Sequence, residues 1–251
     1  MRDRYGEDLA FVHHAGFGDL ACGAAPFVLR LLARVPRRHG LVVELGCGSG
    51  ILLERLTGAG YRALGVDASG AMLRLAAAAA PAASLRHGSL WSVAIPPCDA
   101  VVATGEALCY VPRPSAGDPP TERLFARIRR ALPPGGALVF DAAVRSARAP
   151  APYRTWAAGD RWAVLVEVTP VGERRLTRAI TTFRRVRGRW RRSAERHTVH
   201  LFDRAELLRQ LRDAGFAART APGYGAAVLP PGRLAFVARL RTGGRSPTPG
   251  R

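Results

Sequence analysis

The sequence contains no lysine, so all 38 of its basic residues are arginines. A P-loop is therefore excluded, because that nucleotide-binding motif needs a lysine against the terminal phosphates. Long apolar runs are missing as well: the longest, the alanine-rich stretch 75–83, is far too short to cross a bilayer. Charged residues at positions 2, 3, 4, 7 and 8 leave no room for the apolar core of a signal peptide. We therefore expect a cytoplasmic protein without a membrane partner.

Sequence patterns typical of metal sites are also missing. The cysteines form no C-x-x-C pair and have no zinc-type spacing with histidine. We interpret them as free thiols in a reducing compartment, and we expect no metal site. The four cysteines are Cys22, Cys47, Cys98 and Cys109.

Acidic residues are scarce, since 19 of them stand against 38 arginines and the formal net charge is +19. Such an excess is typical of proteins that bind nucleic acid or acidic partners. A preference for GC-rich codons would equally enrich arginine, alanine, glycine and proline, and no aromatic-basic RNA motif is present. Residues 174–192 hold nine arginines and no acid. This stretch is either the solvated face of a sheet or a site for an acidic substrate or RNA.

The length of 251 residues fits one large domain, and the first half of it alternates between two periodicities. Short apolar runs predict strands, and 3.6-residue patterns between them predict helices. This alternation favours a parallel sheet covered by helices on both faces. The predicted strands are 41–44, 63–67, 84–87, 99–104 and 137–141, and the predicted helices are 26–35, 51–56, 71–80 and 121–132.

Beyond Asp141 the pattern changes to strands rich in β-branched, aromatic and basic residues. Residues 162–169, 176–186 and 190–202 are predicted to pair as antiparallel strands. Asp203 and Glu206 form a capping box at the start of a helix that Gly215 closes, and a last strand covers 233–240.

One glycine-rich segment carries the functional signal. A buried strand runs into Glu44-Leu-Gly46-Cys-Gly48-Ser-Gly50 and then into a helix, so a ligand can lie against the loop at the carboxyl edge of the sheet. The sixth position from Gly46 is Ile51 rather than glycine, which excludes the dinucleotide fingerprint. A carboxylate at Glu44 would repel a pyrophosphate but suits an ammonium group. Asp67, at the end of the next strand, can accept hydrogen bonds from both hydroxyls of a ribose.

In these motifs the sequence resembles the class I S-adenosylmethionine-dependent methyltransferases. The acid-glycine loop matches the first motif of that family, Asp67 its ribose-binding acid, and 132–141 its fifth-strand motif. The resemblance implies a doubly wound α/β fold: a seven-stranded, mainly parallel, Rossmann-like sheet with a small antiparallel β cap. It implies S-adenosylmethionine as the cofactor. The cofactor-binding residues it implies are Glu44, Gly46, Cys47, Gly48, Ser49, Gly50, Asp67, Ala68, Ser89, Leu90 and Gly105.

The outer regions are similar to amino-sugar and glycine N-methyltransferases, which act on small molecules. The strand 195–202 and the capped helix after it resemble the return from the cap that those enzymes have. The implied organisation is an N-terminal helical lid segment over 1–40, a methyltransferase domain over 41–240 with the cap inserted at about 150–202, and a disordered tail over 241–251.

Few residues are candidates for chemistry, because methyl transfer needs alignment more than it needs a base. Glu106 follows the fourth strand and could orient an acceptor amine or take its proton, and His197 could contact the acceptor. Tyr5, His13, His14 and Phe17 lie in the lid segment.

The expected activity is methyl transfer to a nitrogen or oxygen of a small-molecule acceptor. The alternatives are an RNA methyltransferase, which the charge suggests, and a non-catalytic module that keeps the cofactor fold as a scaffold.

Overall fold

The computed structural model describes residues 4–36, 39–111, 120–146 and 151–242. The helices are α1 (Glu7–Gly16), α2 (Asp19–Leu32), α3 (Ile51–Gly58), α4 (Gly70–Ala79), α5 (Thr121–Ala131) and α6 (Arg204–Asp213). The strands are β1 (Leu41–Leu45), β2 (Arg62–Asp67), β3 (Ser84–His87), β4 (Ala100–Ala103), β5 (Ala137–Ala143), β6 (Tyr153–Gly159), β7 (Trp162–Val171), β8 (Arg175–Val186), β9 (Arg189–His200), β10 (Phe216–Ala221), β11 (Gly223–Tyr224), β12 (Ala227–Val228) and β13 (Arg233–Leu240).

The main sheet has seven strands in the order β10-β13-β5-β4-β1-β2-β3. Strand β13 pairs antiparallel with both of its neighbours, and the pairs from β5 to β3 are parallel. The strand order reverses between β1 and β4, so the carboxyl ends of these two strands flank the crevice where this architecture binds ligands. The predicted doubly wound, mainly parallel sheet is confirmed.

The central strands are buried on both faces, as a helix-covered parallel sheet requires. Val43 points to the face covered by α5 and α6, where it belongs to the same cluster as Leu124 and Leu207. Its neighbour Val42 points to the opposite face and packs with Leu53 of α3. This alternation explains why continuous apolar runs, rather than alternating ones, marked these strands in the sequence.

The cap is a separate antiparallel sheet in the order β6-β7-β8-β9. One face packs on α1, where Val164 and Ile180 share a cluster with Leu9 and Val12. Residues directly opposite each other on β8 and β9 lie on the same face of the sheet, and one such pair is Arg178 with His197. The cap thus covers the amino-terminal helix and the carboxyl edge of the main sheet together.

The predicted strands match observed strands to within two residues at each end, and the predicted helices 51–56, 71–80 and 121–132 match α3, α4 and α5 similarly. The helix expected over 26–35 is the second half of α2, which begins at Asp19 and holds Pro26 in its interior. Helix α1, the exposed strand β6 and the strands β10, β11 and β12 were not predicted. Of the tail expected over 241–251, residues 243–251 lie outside the described residues.

The arginine-rich stretch 174–192 lies on β8, β9 and their hairpin, and the expectation of one solvated face is wrong in part. Arg184 and Arg191 are on the inner face, where they form ion pairs with the buried Asp8 of α1. Their guanidinium groups hold α1 against the cap. Arg185 and Arg187 are exposed, in agreement with the expectation.

No single helix in the described ranges is long and apolar enough to cross a membrane, although the bent pair α1 and α2 would be by length and composition alone. Within the same ranges no group of three or more histidine, cysteine or acidic side chains could hold a metal ion.

Helix α6 begins at a side-chain cap, as the sequence predicts. Asp203 Oδ1 accepts a hydrogen bond from the amide of Glu206 at 3.0 Å. Asp203→Ala should lower the free energy of unfolding by about 1 kcal/mol, because one amide of the first turn loses its acceptor. Urea unfolding measures the difference.

The matched control is Asp213→Ala at the other end of α6. Among the described residues Asp213 bonds Arg209 alone, at 2.8 Å in an exposed pair, so its loss should change the free energy of unfolding by less than about 0.5 kcal/mol. Equal effects for the two variants would contradict a capping role for Asp203.

Candidate active site

The glycine loop between β1 and α3 has three left-handed residues, and each glycine is needed for a different reason. A Cβ on Gly46 would lie 2.6 Å from the Cβ of Ala107, and one on Gly50 would lie 2.8 Å from the Cα of Ala76. These two glycines allow close packing of the protein on itself. Gly48, with φ +53°, has nothing within 4 Å of where a Cβ would be. Gly48 therefore leaves open the space against which a ligand can lie.

Asp67 connects the end of β2 to this loop. Its Oδ2 accepts a hydrogen bond from the amide of Gly48 and its Oδ1 one from the amide of Ser69, both at 2.8 Å. Burial raises the pKa of the Asp67 carboxyl, although these backbone hydrogen bonds act in the opposite direction. Each carboxylate oxygen has a second lone pair, which remains available to ribose hydroxyls.

Glu44 is a buried carboxyl group with an unsatisfied oxygen. Its side chain is 2% exposed, and Oε2 has no hydrogen-bond partner among the described residues. Burial, and to a smaller extent the neighbouring charge of Asp67, raise the pKa of Glu44 well above its ordinary value. A cationic ligand group beside Oε2 would supply the missing partner and favour the ionised form.

The predicted cofactor residues, with the exception of Gly50, line one cavity at the carboxyl edge of the sheet. Gly50 instead packs on α4. The cavity residues from this set are Glu44, Gly46, Cys47, Gly48, Ser49, Asp67, Ala68, Ser89, Leu90 and Gly105. Sequence reasoning did not find five further polar or aromatic lining residues, Arg4, Ser69, Trp91, Thr104 and Tyr110.

The N-terminal segment closes one side of the cavity. Tyr5, His13 and Phe17 line it, whereas His14 does not. Ser69 Oγ, which caps α4, also donates a hydrogen bond to the carbonyl oxygen of Tyr5 at 2.8 Å. Burial, with a smaller effect of the neighbouring His14, lowers the pKa of His13 to about 4. His13 is therefore neutral at physiological pH and adds no charge to the cavity wall.

Glu106 lies beside this cavity in an environment that the sequence did not predict. Its side chain is 2% exposed, and its backbone is in the left-handed region at φ 61°. Arg178 binds both carboxylate oxygens, with Nη1–Oε2 at 2.8 Å and Nη2–Oε1 at 3.1 Å, and the Nε of Arg233 contacts Oε1. Two guanidinium groups thus hold the carboxylate, which disfavours the proton-accepting role considered for Glu106.

His197 lies on the inner face of the cap, close to two tyrosines of the cavity wall. Its ring centroid is 5.0 Å from that of Tyr5 and 5.7 Å from that of Tyr110. The two tyrosine hydroxyls are 3.1 Å apart, and Arg178 Nη1 lies 3.3 Å from the hydroxyl of Tyr110. The side of the cavity that faces the cap is therefore built from aromatic rings and hydrogen-bonding groups. His200, three residues further on, points away and contacts the ring of Phe202.

These residues fit S-adenosylmethionine group by group. Glu44 offers an unpartnered carboxylate oxygen for the ammonium, Gly48 leaves the loop open, and Asp67 offers acceptors for the ribose. Ser89 and Leu90 line the part of the cavity where the family resemblance places the adenine.

A sheet of this order with an acid-glycine loop at its carboxyl edge defines a Rossmann-like class I methyltransferase. The profile of a family described as "Methyltransferase domain" matches residues 17–221, and the chain belongs to that family. It is an S-adenosylmethionine-dependent methyltransferase. No curated protein sequence matches the chain significantly.

Solved structures with the same fold include two enzymes that act on sugars. CalS10, an amino pentose methyltransferase from Micromonospora echinaspora, has 21% identity and a TM-score of 0.73 over 96% of this chain and 99% of its own. The sugar N-methyltransferase KedS8 from Streptoalloteichus has 20% identity and a TM-score of 0.75 over 96% of each chain. An S-adenosylmethionine-dependent methyltransferase from Clostridium acetobutylicum has 15% identity and a TM-score of 0.74 over 92% of this chain and 99% of its own.

The residues that sequence reasoning missed come from segments far apart in the chain. Tyr110 follows β4 and comes shortly after Glu106 in the chain. An aromatic residue in this position was a weak sequence signal for a side chain that lines the cavity. Arg178 carried no such signal, because it is one of nine arginines in its stretch. Only the register of β8 with β9, which places Arg178 opposite His197, distinguishes Arg178 from the exposed arginines of that stretch.

Gly48→Ala tests whether the cofactor lies against the glycine loop. The new Cβ should project into the cavity and lower the affinity for S-adenosylmethionine at least about tenfold, or 1.4 kcal/mol. The left-handed backbone should cost about 1–2 kcal/mol of stability. Calorimetric titration and thermal unfolding measure the two effects.

Gly172→Ala is the matched control, because Gly172 also has a left-handed φ, of 61°, and no atom near its Cβ position, but lies in the β7–β8 turn. It should show the same loss of stability with unchanged cofactor affinity. If the cofactor affinity of Gly48→Ala were also unchanged, the cofactor would not lie against this loop.

Binding of S-adenosylmethionine should release a proton from Glu44. In the free protein the raised pKa keeps this carboxyl partly protonated above the ordinary carboxyl range, and a cation beside it favours ionisation. The affinity should therefore rise with pH above about pH 4.3, the ordinary glutamate pKa, until the free protein has lost the proton too. Calorimetry in two buffers of different ionisation enthalpy counts the protons.

In Glu44→Gln the proton release assigned to this group should disappear. Proton uptake in the wild-type protein, or an identical release in the variant, would show that Glu44 does not face the ammonium.

Proposed function

We propose that the protein transfers a methyl group from S-adenosylmethionine to the amine nitrogen of a small molecule of the amino-sugar class. The observation that carries this proposal is the side of the cavity that faces the cap, where Tyr5 and Tyr110 line the wall and Arg178 Nη1 lies 3.3 Å from the hydroxyl of Tyr110. Its walls are rings and hydrogen-bonding groups, which suits a small polar acceptor.

Ion pairs hold helix α1 beside this side of the cavity. Arg74 of α4 bonds Glu7 at 3.2 Å, and Arg191 of the cap bonds the next residue, Asp8, with Nε–Oδ2 at 2.8 Å. Helix α1 is thus tied to the core on one side and to the cap on the other. A lid held in this way over the cavity favours a small acceptor over a folded RNA.

The chain contributes alignment and exclusion of water. The cofactor, when bound, supplies an electrophilic methyl group on a positively charged sulfur. The glycine loop, Asp67 and Glu44 fix the cofactor, while the cap and Tyr110 limit the positions that an acceptor can take. Such positioning can supply several kilocalories per mole of barrier reduction when reacting atoms are held about 3–3.5 Å apart.

Glu106 has a positioning role in this proposal. Its carboxylate holds the guanidinium of Arg178, which in turn reaches the hydroxyl of Tyr110. Glu106 thus places a negative charge beside Arg178 and Arg233, which lowers the positive potential that an incoming amine meets.

The choice of nitrogen is supported by similar proteins. CalS10 is described as an amino pentose methyltransferase and KedS8 as a sugar N-methyltransferase. MtfA, with 18% identity and a TM-score of 0.55, is described as a glycopeptide N-methyltransferase.

A panel of acceptors tests the proposal. Aminopentoses and aminodeoxyhexoses, free and as nucleoside diphosphate derivatives, are incubated with the protein and S-adenosylmethionine, and S-adenosylhomocysteine is measured by mass spectrometry. We expect turnover with at least one amine and none with the sugar that carries a hydroxyl at the same carbon. Equal turnover of the amine and of its hydroxyl counterpart would contradict the choice of nitrogen over oxygen. Cofactor binding without any product would favour the non-catalytic scaffold.

Total RNA belongs in the same panel because of the exposed arginines. Arg185→Gln, Arg187→Gln and Arg189→Gln combined should leave turnover of the amine unchanged, since these side chains are exposed and form no ion pair among the described residues. Methyl incorporation into RNA, with salt-dependent binding that the triple change weakens, would overturn the small-molecule assignment.

A further inference from the structure

The carboxylate of Glu195 makes three hydrogen bonds that join two parts of the protein. His197, two residues away on the same face of β9, lies with Nε2 at 2.8 Å from Oε2. The other donors are backbone amides of the N-terminal segment: Tyr5 N donates to Oε2 at 2.8 Å and Gly6 N donates to Oε1 at 2.9 Å. One carboxylate therefore contacts both the imidazole and the segment that closes the cofactor cavity.

The remaining nitrogen of the imidazole has no partner. His197 is 1% exposed, and its Nδ1 is buried without a hydrogen bond among the described residues. Burying a polar atom in this way costs stability unless a partner is supplied, for example by a ligand. The ring touches Tyr5 and Tyr110, which both line the cavity, so an acceptor bound beside these tyrosines would approach the histidine.

The protonation state of Glu195 decides which nitrogen carries the proton. Burial raises the pKa of Glu195, but the hydrogen bonds from His197, Gly6 and Tyr5 outweigh it, so the net pKa is below the ordinary value. An ionised carboxylate can only accept hydrogen bonds. Nε2 must therefore carry a hydrogen, and whenever the ring has a single hydrogen the lone pair lies on Nδ1.

We propose that Glu195 is the positioning residue that makes His197 Nδ1 the proton acceptor of methyl transfer, and that it does so when the N-terminal segment is closed. This inference rests on the proposed function, since it requires an acceptor that loses a proton. The acceptor nitrogen forms its bond to the methyl carbon with its lone pair, and the carbon–sulfur bond breaks with its electron pair going to sulfur. The proton of the acceptor amine goes to Nδ1, and the imidazolium formed is stabilised by the Glu195 carboxylate.

The other charged and titratable groups around the ring are compatible with this role. Arg178 lies opposite His197 on β8, but its guanidinium is bound to Glu106. Burial raises the pKa of Tyr5 and of Tyr110, so both phenols stay protonated and do not compete for the proton.

The tautomer of His197 can be measured without any acceptor. The full-length protein, labelled with 15N-histidine and saturated with S-adenosylhomocysteine, is studied by long-range 1H–15N correlation at neutral pH, and His197→Gln assigns the signal. We expect a neutral ring with hydrogen on Nε2. A ring with hydrogen on Nδ1, or a doubly protonated ring, would overturn the proposal whether or not the acceptor class is correct.

Glu195→Gln tests the positioning role, because its amide can donate to Nε2 and stabilise the opposite tautomer. We expect the Nδ1-protonated form to appear. In the amino-sugar assay kcat should fall by about 10²–10⁴-fold, the usual contribution of a general base. The KM for S-adenosylmethionine should change less than about threefold, since Glu195 does not line the cofactor cavity.

Glu167→Gln is the control, since Glu167 is an exposed glutamate on the neighbouring strand β7, and neither tautomer nor kcat should change. Unchanged kcat in a folded, cofactor-binding Glu195→Gln enzyme would overturn the proposal. If that variant does not fold, the tautomer of the wild-type protein and the kcat of His197→Gln test the proposal instead. Full activity of His197→Gln, which lacks the imidazole, would also overturn the proposal. Failure of every amine in the panel, with the expected tautomer present, would count against the acceptor class alone.

Discussion

Glu106 lies in a left-handed turn after β4, where Asp141 holds its backbone and two arginines hold its carboxylate. Asp141 accepts hydrogen bonds from the amides of Gly105 and Glu106 at 2.7 and 2.9 Å, and from the hydroxyl of Tyr224 at 2.7 Å. The side chain of Glu106 then binds Arg178 of the cap. A buried carboxylate that loses such a partner typically costs about 3–5 kcal/mol. The cap can therefore take few positions over the carboxyl edge other than the one observed.

The closed position of the N-terminal segment follows from this fixed cap. Once β8 and β9 are in place, the carboxylate of Glu195 meets the amides of Tyr5 and Gly6. The side chains of Arg184 and Arg191 meet Asp8 in the same way. The core adds hydrogen bonds from Ser69 and Arg74 and the contact between the hydroxyls of Tyr110 and Tyr5. Leu9 and Val12 also pack in an apolar cluster with the cap, so polar and apolar contacts together hold the segment closed.

The cofactor half of the site could be predicted from the sequence because its residues are close together in the chain. Gly48 and Asp67 are joined by one strand-helix-strand unit, and their positions at strand ends follow from periodicity alone. The acceptor half could not be predicted in this way. Arg178 and Glu106 meet through a register between distant strands, and His197 differs from His200 only by the face of β9 on which it lies. Helix α1 was missed because its histidines and glycine give no clear apolar stripe. Strand β10 was missed because small alanines and one arginine make up most of a half-buried edge strand.

The exclusive use of arginine has a structural consequence whether or not codon preference explains it. Arg178 reaches both oxygens of Glu106 through two nitrogens, and Arg191 contacts Asp8 through Nε and Nη2. A lysine ammonium is a single point of contact and could not form either pair in this geometry. The buried acids Asp8 and Glu106 have arginine as their only possible cationic side-chain partner apart from histidine. Part of the basic excess therefore holds the cap and the N-terminal segment over the site, and only the exposed remainder is left as a surface that could attract an anionic partner.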